Sequence, residues 1–255
     1  MKKIFVTTFN KKLFDKHAYK LIDSYIQTKQ SLTLYCYVED DIKLYPKFKN
    51  VIFLNLFENQ PENKKFIDRN LNKFNHIAKL NYILNAPRFS YKVFAQSDAR
   101  KYADHIFYID SDTYFINYIP EEWFNKCLPN NVFISLYDRL GYYTETGFLA
   151  FNNNLNNDLG NKLADVFFDL YVSYYTKDLI YCLPAFTDCH ALDATRYRFL
   201  FLTNTIANYK NYLENQLTNK KLWFKHNDLD VMKNDEFINQ YIIHNKGKKN
   251  KWIIF

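Results

Sequence analysis

The chain has 255 residues, 48% hydrophobic and 19% aromatic, with a formal charge of +7. That is enough apolar material for a packed core, and it excludes a disordered chain. The basic balance suits an anionic small molecule, a polyanion or an acidic membrane surface, but the lysines are dispersed outside Lys246-Gly247-Lys248-Lys249-Asn250-Lys251 and an arginine-rich nucleic-acid arm is absent.

Ile4-Phe5-Val6-Thr7-Thr8-Phe9 reads as a first buried strand. From Leu13 to Ile26 the apolar positions recur at helical spacing. Leu32 to Val38 is a second strand, ending in Glu39-Asp40-Asp41, and Val51 to Leu56 a third. Residues 62–102 read as helix in two or three pieces, broken at Pro87. His105 to Ile109 is a fourth strand. Pro120 opens a helix at its first turn. Asn131 to Tyr137 and Phe148 to Phe151 are further strands. A long amphipathic helix follows, with Leu159, Leu163, Val166, Phe167, Leu170, Tyr171 and Tyr174 on one side. The last third is helical and loop-like and ends in Tyr241-Ile242-Ile243-His244. The β-α-β-β start predicts an α/β domain: a mostly parallel, Rossmann-like sheet flanked by helices, with a helical C-terminal elaboration. The whole of 1–255 reads as one domain, in two parts, 1–112 and 113–255.

The cysteines Cys36, Cys127, Cys182 and Cys189 include no C-x-x-C pair, so they read as reduced and structural, in a cytoplasmic protein. Zinc is not expected. The start, Met1-Lys2-Lys3 running into a short strand, lacks a signal-peptide core. No apolar run approaches the roughly 20 residues of a membrane span, which leaves peripheral membrane contact open.

The fourth strand ends abruptly in Asp110-Ser111-Asp112. In an extended chain the two aspartates point the same way and offer hard oxygen ligands for Mg²⁺ or Mn²⁺. Such a cation can bridge to a diphosphate and stabilise it as a leaving group. A turn or helix cap uses the same residue types. Thr7-Thr8-Phe9-Asn10 and Glu39-Asp40-Asp41 end the first two strands, where a parallel sheet binds ligands, and could hold a base and ribose. Lys92, ahead of Arg88, is the cation placed to reach a donor phosphate or sugar. Glu145 enters a strand between Thr144 and Gly147, a position suited to bind a sugar hydroxyl or act as a base. Thr187 or Asp188 caps a helix, which leaves the other for chemistry, and Asp188 is the candidate catalytic carboxylate. Asp193 and Arg196 are spaced as a structural ion pair. His244 ends an apolar run, as a third metal ligand should, and the lysines after it could grip a diphosphate.

Taken in order, D-S-D-T, E-T-G-F-L-A-F-N, T-D-C-H-A-L-D-A-T-R and H-N-K-G-K-K resemble nucleotide-sugar glycosyltransferases of the GT-A fold, within them the small bacterial, phage and large-virus enzymes. The resemblance spans nearly the whole chain. It implies that Asp110 and Asp112 bind Mn²⁺ or Mg²⁺ with His244, with Ser111 between them at the donor. Lys246, Gly247 and Lys249 would contact the diphosphate. Thr7, Thr8, Phe9 and Asp40 would hold the nucleobase and ribose. Glu145 and Asp188 would line the sugar and acceptor pocket. The donor would be a nucleoside-diphosphate sugar, UDP-linked by preference, and the acceptor a glycan hydroxyl. Thr146 stands where the pattern has Cys or Ser, Phe186 replaces its Trp, and Ile243 precedes His244 where it has Asp. These departures bear on the acceptor more than on the donor.

If the reaction inverts, a carboxylate must deprotonate the acceptor, with Asp188 first and Glu145 second. If it retains, as the late His-x-x-Gly of glycogenin-like transferases suggests, no such base is needed. Three other readings share these residues: a metal-dependent nucleotidyl- or phosphotransferase, a non-catalytic nucleotide-sugar binding module, and a transferase acting on modified DNA bases. The first lacks a G-x-x-x-x-G-K-[ST] phosphate loop. The last predicts DNA binding that weakens steeply with salt.

Overall fold

The computed structural model describes residues 1–71, 81–139, 143–156, 160–203, 223–224 and 235–245. In chain order the strands are β1 (Lys3–Phe9), β2 (Thr33–Val38), β3 (Val51–Asn55), β4 (His105–Ile109), β5 (Thr113–Phe115), β6 (Ile134–Arg139), β7 (Glu145–Asn152), β8 (Trp223–Phe224) and β9 (Ile242–His244). The helices are α1 (Tyr19–Gln27), α2 (Pro61–Asn70), α3 (Ala86–Ala99), α4 (Glu121–Cys127), α5 (Leu163–Thr176), α6 (Asp188–Thr203) and α7 (Glu236–Asn239).

The main sheet runs β3-β2-β1-β4-β7-β6-β8. Strands β3, β2, β1 and β4 pair in parallel, β7 is antiparallel to both neighbours, and β8 is parallel to β6. This is the expected mostly parallel α/β sheet flanked by helices. Its central strands are apolar on both sides, as strands covered on both faces must be. Ile4 and Val6 of β1, with Ile106 and Tyr108 of β4, pack under α3, α5 and α6. Phe5, Phe9, Phe107 and Ile109 alternate with them and pack under α1 and α4. Each fully buried Phe or Ile contributes about 2–3 kcal/mol.

Local chemistry sets the boundaries. The first helical stretch starts early, at Lys11, because the Asn10 side chain accepts from Leu13 N–H at 3.0 Å. It then passes through a π-helical segment, Phe14–Ala18, before α1. Pro87 does not break a helix. It sits in the first turn of α3, where its missing N–H costs nothing, and Asn85 caps that turn by accepting from Arg88 N–H at 3.2 Å. Pro120 is the cap of α4, one residue ahead of its first turn. The amphipathic helix begins at Leu163, and Leu159 lies outside the described residues. None of the four cysteines is in a disulfide. Among the described residues no helix is long and apolar enough to cross a membrane.

His105 starts β4 with its ring fully buried. Burial, then the nearby Lys3 charge, pushes its pKa down from 6.5 to about 4. The unfolded chain therefore takes up a proton below pH 6.5 that the native state refuses. Stability from this residue is complete above pH 6.5 and is lost as pH falls towards 4, by about 3 kcal/mol in all. Urea unfolding at pH 7 and pH 4 should show that loss relative to a His105→Asn variant. Parallel pH profiles of the two proteins would refute it.

Candidate metal centre

Because β2, β1 and β4 are parallel neighbours, their carboxyl ends share one edge of the sheet. Ligands of parallel α/β sheets bind at that edge. The chain leaves β4 at Ile109, and Asp110 N–H donates to the Gly147 carbonyl at 2.9 Å. Thr113 then closes a turn, its N–H and hydroxyl donating to the Asp110 carbonyl at 3.1 and 2.7 Å. Asp110 and Asp112 do converge, through this turn and not through the alternation of an extended strand. The turn that these residue types allow is formed, and it sets the two aspartates side by side.

His244 arrives from 132 residues away. β9 pairs antiparallel with β5, which sets His244 opposite Thr113, and Asn245 N–H donates to the Asp112 carbonyl at 2.9 Å. The imidazole Nε2 lies 3.2 Å from Asp112 Oδ1 and 4.0 Å from Asp110 Oδ2. One donor atom from each of Asp110, Asp112 and His244 falls within 4.8 Å of the others. Two carboxylates and an imidazole are a hard, mixed O/N donor set that fits Mn²⁺ well and Mg²⁺ acceptably.

The electrostatics are those of charges held together in a partly dry site. Burial and the Asp112 charge push the Asp110 carboxyl up, against the pull of Lys92 and His244. Burial would also raise Asp112, but the His244 hydrogen bond and charge outweigh it and hold Asp112 below the usual range. Burial would lower His244, but the Asp112 hydrogen bond and the charges of both aspartates raise it.

Gly147 explains how the three ligands fit against β7. A Cβ there would stand 3.2 Å from His244 Cε1, 3.3 Å from Glu145 Oε1 and 3.5 Å from Asp110 Oδ2. A methyl there would press on the His244 ring and the Glu145 carboxylate, which hydrogen leaves undisturbed. Glu145 is buried at the start of β7 and accepts from Gly147 N–H at 3.3 Å.

Lys92 reaches the site from α3. Its Nζ is 2.6 Å from Asp110 Oδ1 and 3.2 Å from Asp188 Oδ2, so it bridges the Asp110–Asp112–His244 cluster to Asp188. Burial works against the ammonium, but Asp110 and Asp188 raise its pKa well above normal and keep it charged. Asp188 opens α6 and is almost wholly buried. Thr187 caps that helix by accepting from His190 N–H at 3.3 Å, which settles the capping alternative and leaves Asp188 to the site. Asp193 and Arg196 form the expected ion pair at 3.3 Å, and Arg196 also donates to the Thr144 hydroxyl at 2.7 Å.

The strand-end residues divide between the two faces. Thr8 lies on the α3 side with Val6, whereas Thr7 and Phe9 turn into the opposite layer with Phe5, where the Phe9 ring packs against Phe14, Tyr45 and Phe53. The hydroxyls of both threonines are buried and make no hydrogen bond. Asp40 is engaged by Lys11 N–H and, at 2.9 Å, by the Tyr45 hydroxyl. Glu39, next to it, accepts from the Asn10 side chain at 3.3 Å, and burial first, opposed by Asn10, Arg88 and Tyr91, leaves its pKa raised to about 7. Sequence reasoning chose Asp40 from the acidic triplet. The signal for Glu39 was the strand period, which puts it on the same side as Tyr37 and the α3 layer. Ser111 is half-buried in the turn between the two aspartates. Lys246, Gly247 and Lys249 lie outside the described residues.

No family model matches the sequence, and no curated protein matches it. Among solved structures the chain is similar to the apo form of mouse xyloside xylosyltransferase 1, with 12% identity, a TM-score of 0.46, and coverage of 86% of this chain and 84% of that one. At that distance the functional reading rests on the side chains of the site itself.

Proposed function

We propose that the chain is a metal-dependent glycosyltransferase that moves a sugar from a nucleoside-diphosphate sugar, UDP-linked by preference, to an acceptor hydroxyl of a glycan. The observation that carries the reading is the convergence of Asp110, Asp112 and His244 at the carboxyl end of β4, with Lys92, Glu145 and Asp188 around them. Asp110, Asp112 and His244 would hold Mn²⁺ or Mg²⁺. When bound, the cation supplies Lewis-acid stabilisation of negative charge on the diphosphate.

The chain's own residues then have separate tasks. Thr8, Glu39 and Asp40 at the ends of β1 and β2, with Thr7 and Phe9 behind them, shape the nucleoside end of the cleft. Ser111 would lie beside the diphosphate, and Lys246, Gly247 and Lys249 would supply its further contacts. Lys92 holds the Asp110 and Asp188 carboxylates in place and adds positive charge beside the donor sugar. In the transfer the bond from the anomeric carbon to the diphosphate breaks and a new C–O bond to the acceptor forms. The acceptor proton goes to Asp188 in an inverting reaction, with Glu145 as the second candidate base. A retaining reaction places no such demand on either.

Calorimetric titration of UDP into the protein tests the donor half directly. Binding is expected with Mn²⁺ and should be lost in EDTA. Equally tight binding in EDTA would remove the metal from the reading. Absence of binding for UDP, GDP, CDP and dTDP alike, with Mn²⁺ present, would overturn the reading as a whole.

A further inference from the structure

Beyond Asp188 the mouth of the cleft is built from rings. Tyr82 stands on the short 3-10 turn Tyr82–Leu84 and is 45% exposed. That turn is fastened to the chain just ahead of α6, where Phe186 N–H donates to the Ile83 carbonyl at 2.9 Å. The Phe89 ring lies 6.2 Å from Tyr82, and the Arg88 guanidinium sits 5.7 Å from the Tyr82 centroid. On the α6 side, the Tyr143 and His190 rings are 4.8 Å apart with their planes at 35°. His190 is oriented by the Thr187 hydroxyl, 2.7 Å from its Nδ1. Tyr143 is held through its neighbour Thr144, whose N–H donates to Asp193 at 3.0 Å.

Asp188 stands beside both groups: it is two residues ahead of His190 at the start of α6, and Lys92 ties it to α3, one turn on from the Arg88 that covers Tyr82. Asp188 Oδ2 is buried, with Lys92 at 3.2 Å but no hydrogen bond of its own. A buried carboxylate held by one ammonium and flanked by partly exposed aromatic rings fits a ligand with apolar C–H faces and hydroxyls on its rim. A pyranose has that shape. Nucleic-acid bases also stack on aromatic rings. However, a phosphate chain needs a row of cations, and here Asp188 and Asp193 stand beside the rings with Arg88 as the exposed cation at Tyr82.

We propose that Tyr82 on one side and the Tyr143–His190 pair on the other form the acceptor subsite, a stacking surface that presents one hydroxyl of a pyranose to Asp188. This rests on the transferase reading, and the test separates the two.

Saturation-transfer NMR would be run on the Mg²⁺-loaded protein with methyl β-glucoside, β-galactoside, β-xyloside and α-mannoside. UDP binding would be measured by calorimetry on the same samples. At least one glycoside should receive saturation at its ring C–H protons. Tyr82→Ala should weaken its binding about fivefold or more, Tyr82→Phe should retain it, and Tyr197→Ala, at a 76% exposed site on α6, should leave it unchanged. UDP affinity should be the same in all four proteins. UDP binding with no glycoside signal would overturn the subsite and spare the donor reading. Loss of both would overturn both. A glycoside signal indifferent to Tyr82→Ala would remove Tyr82. A single-stranded dT oligomer that binds with the same Tyr82 dependence would replace the saccharide by a nucleic acid.

Discussion

Asp112→Asn is expected to abolish metal-dependent turnover and to weaken Mn²⁺-dependent UDP binding by more than about 100-fold. The bound follows from the usual effect of changing a residue behind a metal ligand, about 10–100-fold, and Asp112 would be a ligand itself. The amide is isosteric and keeps one oxygen towards His244, whose Nε2 lies 3.2 Å from Asp112 Oδ1. The fold should therefore survive. Asp112 is partly exposed, with its side chain 27% accessible, so its contribution to stability is small. His244 loses a charged partner and its raised pKa should fall, visible as an imidazole shift in NMR titration of the metal-free protein. Full activity in the variant, with or without the imidazole change, would dismiss Asp112 as a ligand.

Gly147→Ala is expected to damage the site and the fold together. The new methyl would stand 3.2 Å from His244 Cε1 and 3.3 Å from Glu145 Oε1, closer than side chains normally approach. His244 cannot easily give way. It is buried, tied to Asp112, and fixed by the β5–β9 ladder. Overpacking of this kind costs about 1–3 kcal/mol. The displacement falls on His244 and Glu145, so Mn²⁺-dependent UDP binding should weaken about 10–100-fold, as when a ligand's supports are changed. Denaturant unfolding reports the first effect and calorimetry the second. Unchanged metal dependence alongside unchanged stability would mean that the ligands are not packed against β7 as described.

The strands of this fold were readable because each is a short, almost unbroken apolar run. Those of β1, β2 and β4 alternate between two helical layers, so both parities are hydrophobic. What escaped was short or non-local. β5 is three residues long and takes its identity from pairing with β9. The π-helical segment Phe14–Ala18 leaves no mark in a helical apolar pattern. At the site, Asp110, Asp112 and His244 were legible as residue types at strand ends, and the structure brings them together. The role of Lys92 as a bridge to Asp188 was not legible. It depends on α3 and α6 meeting over the end of β4, and no spacing in the sequence encodes that meeting. The division of Thr7, Thr8 and Phe9 between two faces follows from strand alternation alone and could have been drawn earlier.

The route by which His244 reaches its partners sets an order of assembly. A ribosome finishes Asp110 and Asp112 long before it delivers the imidazole, 132 residues later. Until β9 docks on β5, the nascent protein can own a complete parallel half-sheet and only two of the three converging side chains. On the proposed reading, metal capture would serve as a late clasp. A cation that prefers the closed site favours the docked strand by mass action, so starvation for metal would be felt first as fraying of β9 and only afterwards as loss of the sheet.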